Sequence, residues 1–112
     1  GRNLGKIDVR KFPKLTYLDC EGQGIKKLDL SKNKKLTYLN CSLNPIGKLN
    51  LKNNTRLKTV YCDRCSLTKL QLAPKTSYKL VSCKNNKLKK LNVKSIRIKT
   101  LRIKGNKTLW LS

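Results

Sequence analysis

Histidine is absent from the chain, and only five of its 112 residues are acidic. Histidine is the commonest general base in enzymes and a partner in the Ser-His nucleophile pair, so its absence removes the most frequent catalytic arrangements. Short glycine-containing stretches such as Gly22-Gln23-Gly24 lack the rest of any phosphate-binding loop. We therefore expect no enzymatic activity, no catalytic residues and no cofactor.

Long apolar runs are also missing. The chain has no stretch of about 18 apolar residues, and no basic-then-apolar opening segment typical of a signal peptide. We therefore predict no transmembrane segment. Aromatic residues are scarce as well, with one Phe and one Trp, so the core must consist mainly of Leu, Ile and Val.

The scarcity of acidic residues leaves a large excess of positive charge. The chain has 28 lysine and arginine residues, which gives a formal net charge of +23 at pH 7. Four of the acidic residues lie in the first 29 positions, and none follows Asp63. Such a charge indicates either an anionic partner or a need for strong solvation.

A fixed repeat organises the whole sequence. The segment KLTYLDC at residues 14–20 returns as KLTYLNC at residues 35–41, a step of 21 positions. Within it, Leu39-Asn40-Cys41 alternates as a short strand does, and about ten residues between Cys41 and Leu51 leave little room for a helix of several turns. One repeat cannot bury its apolar stripe alone, so successive coils must stack. We predict a mostly β solenoid of about five 21-residue coils, with short parallel strands and little or no helix.

The order of apolar positions resembles a known family. Each repeat has the form LxxLxCxxN followed by a second LxxLxL, and this resembles bacterial leucine-rich repeats of the short, irregular 21-residue subclass, in the style of internalin-like surface proteins. The Asn position of that motif is occupied by Gln23, Asn44, Cys65, Asn86 and Asn106. The resemblance implies a non-enzymatic protein-recognition module of a secreted or cell-surface bacterial protein, with an extracellular or surface location. It also implies that the outward residues of the LxxLxL strand form the binding surface.

Four of the five cysteines share one inward column of the repeat. They are Cys20, Cys41, Cys62 and Cys83, whereas Cys65 takes an Asn position. A reduced Cys is a small apolar side chain that suits a tight strand position. The spacing leaves disulfides between stacked coils open, but parallel side chains make that geometry awkward and five is an odd number. We expect free buried thiols, and no metal site, because a lone CxxC without His falls short of a zinc pattern.

The outward positions of the first strand of each coil are candidates for a partner site. Six residues make up this predicted protein-binding surface: Tyr17, Asp19, Tyr38, Asn40, Tyr61 and Arg102. Tyrosine offers large amphipathic anchors at interfaces. The alternative is that tyrosine simply favours strands and was copied with the repeat. The sequence leaves the identity of the partner and the oligomeric state open.

A column of lysines in the second half of the repeat is a second candidate site. It consists of Lys6, Lys27, Lys48, Lys69 and Lys90. One interpretation is a linear polycation that binds a polyanion, in an adhesin or wall-associated protein: an anionic polysaccharide such as a glycosaminoglycan, or teichoic acid, nucleic acid or anionic lipid headgroups. The other is a solvated edge where lysine discourages lateral aggregation. None of the usual nucleic-acid-binding modules fits, so we expect no specific nucleic-acid partner.

The repeat covers the chain as one domain, residues 1–112, either as a whole protein or as a fragment of a longer one. The pattern breaks at residues 73–77 and at residues 93–96, where we expect local irregularity. We also expect Trp110 to cover the last coil with its bulk.

Overall fold

Alternation of apolar and polar residues produces nine short strands in the computed structural model, which describes residues 7–112. The strands are β1 (Tyr17–Asp19), β2 (Tyr38–Asn40), β3 (Lys48–Asn50), β4 (Thr59–Tyr61), β5 (Lys69–Gln71), β6 (Ser77–Ser82), β7 (Lys90–Leu91), β8 (Arg97–Arg102) and β9 (Trp110–Leu111). No helix occurs in this range.

The strands stack into a parallel β-solenoid of about five turns, as the sequence predicts. One side of the coil is a five-stranded sheet in the order β1-β2-β4-β6-β8. The other side carries two parallel pairs, β3-β5 and β7-β9. The whole measures 34 × 26 × 17 Å, so its thin dimension leaves room for one layer of side chains from each side.

The register between coils follows the sequence repeat. Leu18 lies opposite Leu39, Leu39 opposite Val60, Val60 opposite Val81, and Val81 opposite Leu101. The last step is one residue shorter than the others because a residue is deleted before β8. Each inward column therefore forms a continuous apolar row, and full burial of one such side chain contributes about 1.5–3 kcal/mol.

The cysteines belong to this core. All five lie in the described part of the chain, all are buried, and none forms a disulfide. The sequence-based expectation of free buried thiols agrees with this arrangement.

Buried asparagines join the coils at the turn after the first strand. The Asn44 side chain accepts the N–H groups of Gln23 and Ile25, both at 2.9 Å, and donates to the carbonyls of Cys20 and Cys41, also at 2.9 Å. Asn86 repeats the arrangement two coils further on. A bend in the backbone leaves these groups without ladder partners, and a carboxamide has the two donors and the acceptor that they need.

A second asparagine column lies at the opposite turn, and its hydrogen bonding is incomplete. Asn54 donates to the carbonyls of Leu30 and Asn33 at 2.9 Å. The Oδ1 atoms of Asn33 and Asn54 are buried and have no hydrogen-bond partner within residues 7–112. The two columns are thus equally buried but unequally satisfied.

The turn after the first strand requires left-handed backbone at the same position of every coil. Its φ values are positive at Gly22, Leu43, Arg64, Asn85 and Gly105. Glycine and asparagine adopt this conformation readily, whereas leucine and arginine do so at a cost of about 1–2 kcal/mol each. An Asx turn precedes it: the carboxylate of Asp19 accepts the N–H of Glu21 at 3.2 Å.

The two departures from the repeat lengthen strands. Lys75 and Ser95 have positive φ and are joined by a Lys75 N–H to Ser95 carbonyl bond of 3.1 Å. After each of them the strand extends to six residues, β6 and β8, instead of three. The expected irregularity is therefore an extra length of sheet.

The expectation for Trp110 is wrong, because its side chain is 74% exposed. Trp110 lies opposite Lys90 on the paired strand and so belongs to the same outward column.

Candidate functional site

The five-stranded sheet carries a cluster of tyrosines on its outer side, which we call the tyrosine face and define by Tyr17, Tyr38 and Tyr61. Parallel register places Tyr17 beside Tyr38. Their rings stack with centroids 4.4 Å apart and planes 6° from parallel. Tyr61 lies diagonally next to Tyr38, at 6.2 Å and a tilt of 54°. The repeat therefore brings three predicted partner-binding residues into contact.

The three rings differ in exposure. Tyr17 is 58% exposed, while Tyr38 and Tyr61 are half-buried. Burial against its neighbours raises the pKa of Tyr38, as do the nearby Tyr17 and Asp19. Each ring restricts the next one, and the cluster presents a fixed apolar surface with hydroxyl groups at its rim.

The polar residues predicted for the same surface have local structural roles as well. Asp19 and Asn40 each cap the backbone two residues ahead, and the Asn40 amide donates to a Glu21 carboxylate oxygen at 3.3 Å. Arg102 stands in the same column as Asp19 but four strands away, about 19 Å at usual strand spacing. The structure therefore groups the tyrosines with Asp19 and Asn40, and leaves Arg102 at the far edge.

Leu43 is a surface feature that the sequence reasoning missed. Its side chain is 52% exposed, and its backbone has φ of 60°. It follows β2 by three residues, at the end of the strand that carries Tyr38. The sequence already distinguishes Leu43, because the other coils have glycine, arginine or asparagine at the equivalent position. An exposed apolar residue in a strained position is a candidate for binding.

The opposite side of the coil carries the lysine row, which we define as Lys27, Lys48, Lys69 and Lys90. β3 and β5 pair so that Lys48 lies directly beside Lys69. Lys27, Lys48 and Lys69 line an open groove of ≈ 900 Å³ that runs along this side. Lys6, the first member of the predicted column, lies outside the described residues. Trp110 occupies the position after Lys90.

The buried thiols form no surface comparable with the tyrosine face or the lysine row. Burial raises the pKa of Cys20 to about 11 and that of Cys83 to about 12. The pKa of Cys41 is also raised, by a hydrogen bond with the Cys65 side chain and by burial. Cys65 donates its S–H to the Cys41 carbonyl at 3.1 Å, so it stands in for the asparagine of the other coils. The hydrogen bond with the Cys41 side chain lowers the pKa of Cys65 itself. The other four thiols, whose pKa values are raised, are weak nucleophiles and weak metal ligands.

Among residues 7–112 there is no helix long and apolar enough to cross a bilayer. The same residues contain no group of three or more Cys, Asp or Glu side chains arranged to hold a metal ion. No protein-family model matches this chain, and no match was found among curated proteins or solved structures.

Proposed function

We propose that this chain is a non-enzymatic leucine-rich-repeat module that recognises a protein partner through the tyrosine face. The observation that carries the proposal is the stacked pair Tyr17 and Tyr38, with Tyr17 more than half exposed. The repeat pattern of the sequence further supports a secreted or cell-surface bacterial protein, where repeats of this style commonly serve in recognition.

Binding energy at protein interfaces concentrates in a few anchors, and tyrosine is among the most frequent of them. An anchor that is already held in place loses little side-chain freedom on binding. Tyr38 is fixed between Tyr17 and Tyr61, so the cluster meets this condition before any partner arrives. Leu43 adds an exposed apolar side chain beyond the end of β2.

Paired affinity capture tests the proposal. The immobilised chain and its Tyr17→Ser variant are exposed to the same mixture of extracellular proteins, and each protein retained only by the unchanged chain is purified and titrated. We expect Tyr17→Ser to weaken the binding of such a partner by about 2 kcal/mol, on the order of 30-fold, as for other interface anchors.

Thr100→Ala is the matched control, because Thr100 is exposed and occupies the same outward column as Tyr17. It should leave the affinity within about twofold. Tyr17 is exposed, so circular dichroism of the variant should match that of the unchanged chain. If every retained protein binds the Tyr17→Ser variant as tightly as the unchanged chain, the tyrosine face is not the recognition surface.

A further inference from the structure

The side chains of the lysine row form a continuous row on the surface of the solenoid and are not scattered over it. Lys48 and Lys69 are in register on paired strands, and both are exposed. Neighbouring strands are about 4.8 Å apart, so one ammonium group recurs at each coil. That spacing is comparable with the length of one sugar ring in an extended chain, which means that successive rings can each meet a lysine.

A row of amides runs beside the lysines in the same groove. Asn50 lies opposite Gln71, two residues after the paired lysines, and both line the groove. The Asn50 Oδ1 atom accepts the N–H of Lys52 at 2.9 Å, which leaves its NH₂ group for a ligand. The exposed Gln71 side chain has no hydrogen-bond partner within residues 7–112, so both its donor and its acceptor are free.

The groove lacks the groups that single-stranded nucleic acids need. None of the described residues that line it is aromatic, and Tyr17, Tyr38 and Tyr61 lie on the opposite side of the coil. The exposed Trp110, which follows Lys90 in the same column, is not among the residues that line the groove. Proteins that bind single strands combine basic residues with aromatic rings for base stacking. A row of lysines beside a row of carboxamides instead suits a polymer that carries both anionic groups and hydroxyls.

The acidic residues of the groove restrict where an anion can lie. Asp8 and Asp29, which are one repeat apart and so lie on successive coils, line the end of the groove that precedes β3. Arg10 pairs with Asp8 at 2.9 Å and lowers its pKa to about 2, while the hydroxyl of Ser31 donates to Asp29 at 2.6 Å. Both carboxylates therefore stay charged at neutral pH. An anionic chain is therefore favoured over β3 and β5, where no acidic residue lines the groove, and is less favoured beside Asp8 and Asp29.

We propose that the lysine row and its neighbouring amides bind an extended acidic polysaccharide whose carboxylate or sulfate groups contact Lys48 and Lys69 and whose hydroxyls contact Asn50 and Gln71. The site lies on the side of the solenoid away from the tyrosine face. It is independent of the proposed protein recognition, and both faces can be occupied together.

The test uses polygalacturonate and heparin as carboxylated and sulfated probes, with neutral dextran, poly(dT) and polyphosphate for comparison. Binding is measured by titration calorimetry near 0.15 M salt, where the screening length is about 8 Å and distant charges contribute little. The Lys48→Gln/Lys69→Gln variant should weaken polysaccharide binding about tenfold or more. The matched control, Lys79→Gln/Lys99→Gln, removes the same charge from exposed positions of β6 and β8 and should change it by less than about twofold.

Gln71→Ala separates sugar recognition from attraction to any polyanion. It should weaken binding of polygalacturonate or heparin several-fold and leave polyphosphate unaffected. A preference for one of the two acidic polysaccharides identifies carboxylate or sulfate as the anionic group. The proposal is overturned if both lysine pairs cause equal losses. It is also overturned if neither acidic polysaccharide binds, or if poly(dT) or polyphosphate binds as tightly while Gln71→Ala has no effect.

Discussion

Replacing Asn44 with alanine tests whether the buried carboxamides hold the coils together. The change removes the acceptor of the Gln23 and Ile25 N–H groups and the donor to the carbonyls of Cys20 and Cys41. Ile25 is 0% exposed, so water cannot replace the lost acceptor without opening the turn. An unsatisfied buried polar group costs about 1–3 kcal/mol. Asn44→Ala leaves at least three such groups, so we expect the free energy of unfolding to fall by about 3–5 kcal/mol.

Asn54→Ala is the matched comparison, since Asn44 and Asn54 are both buried and lie at equivalent turns on the two sides of the coil. Asn54 makes two hydrogen bonds, to Leu30 and Asn33, and its Oδ1 has no partner within the described residues. Removing that oxygen removes the cost of one unsatisfied buried acceptor, which is similar in size to the two hydrogen bonds lost. We therefore expect the free energy of unfolding to fall by only about 1 kcal/mol.

Urea unfolding followed by far-ultraviolet circular dichroism measures both variants, with an unchanged m value as evidence that the same transition is observed. A loss of about 3–5 kcal/mol is a large part of the 5–15 kcal/mol typical of a domain, so Asn44→Ala should shift the midpoint strongly. Equal losses for Asn44→Ala and Asn54→Ala would refute the reasoning, because the difference between them rests on the two N–H groups that only Asn44 accepts.

Two further predictions concern the turns and the thiols. Gly22→Ala should lower the free energy of unfolding by about 1 kcal/mol, because φ is +64° while the space around a new Cβ is open. Gly105→Ala should lower it by at least about 1 kcal/mol more, because φ is +88° and the Cβ would approach the Asn85 backbone nitrogen to 2.9 Å. Thermal unfolding of the two variants measures the difference, and equal losses would contradict the close approach of the last two coils. The thiol pKa values of Cys20 and Cys83 are raised from 9.0 to about 11 and about 12. As the pH rises, the unfolded chain therefore loses these two protons before the folded chain does. Their contribution to the free energy of unfolding is complete below pH 9 and is lost between pH 9 and 12. A Cys20→Ala/Cys83→Ala variant should therefore lose stability less steeply over that range than the unchanged chain, and parallel curves from urea unfolding would argue against the raised values.

Much of the fold follows from the repeat in the sequence. The 21-residue step predicts which residues share a column, and the alternation within Leu39-Asn40-Cys41 predicts which of them point inward. Identical coils stack only with equivalent positions opposite one another, so the register of Leu18, Leu39 and Val60 is determined once the period is known. For the same reason the cysteine column is buried in the structure, as the sequence predicts.

Tertiary structure decided the features that depend on how each coil bends. The sequence places Tyr17 and Tyr38 in one column, but the near-parallel stacking of their rings depends on the rotamers that the two side chains adopt on the folded sheet. Asn44 and Asn54 look equivalent in the repeat, yet only Asn44 finds donors for its oxygen, because the two turns direct different N–H groups inward. The groove beside Lys48 likewise depends on how several successive coils stack, because residues of all of them line it. Period and alternation determine which residues are neighbours, while the distance and orientation between those neighbours arise only when the turns close around a packed core.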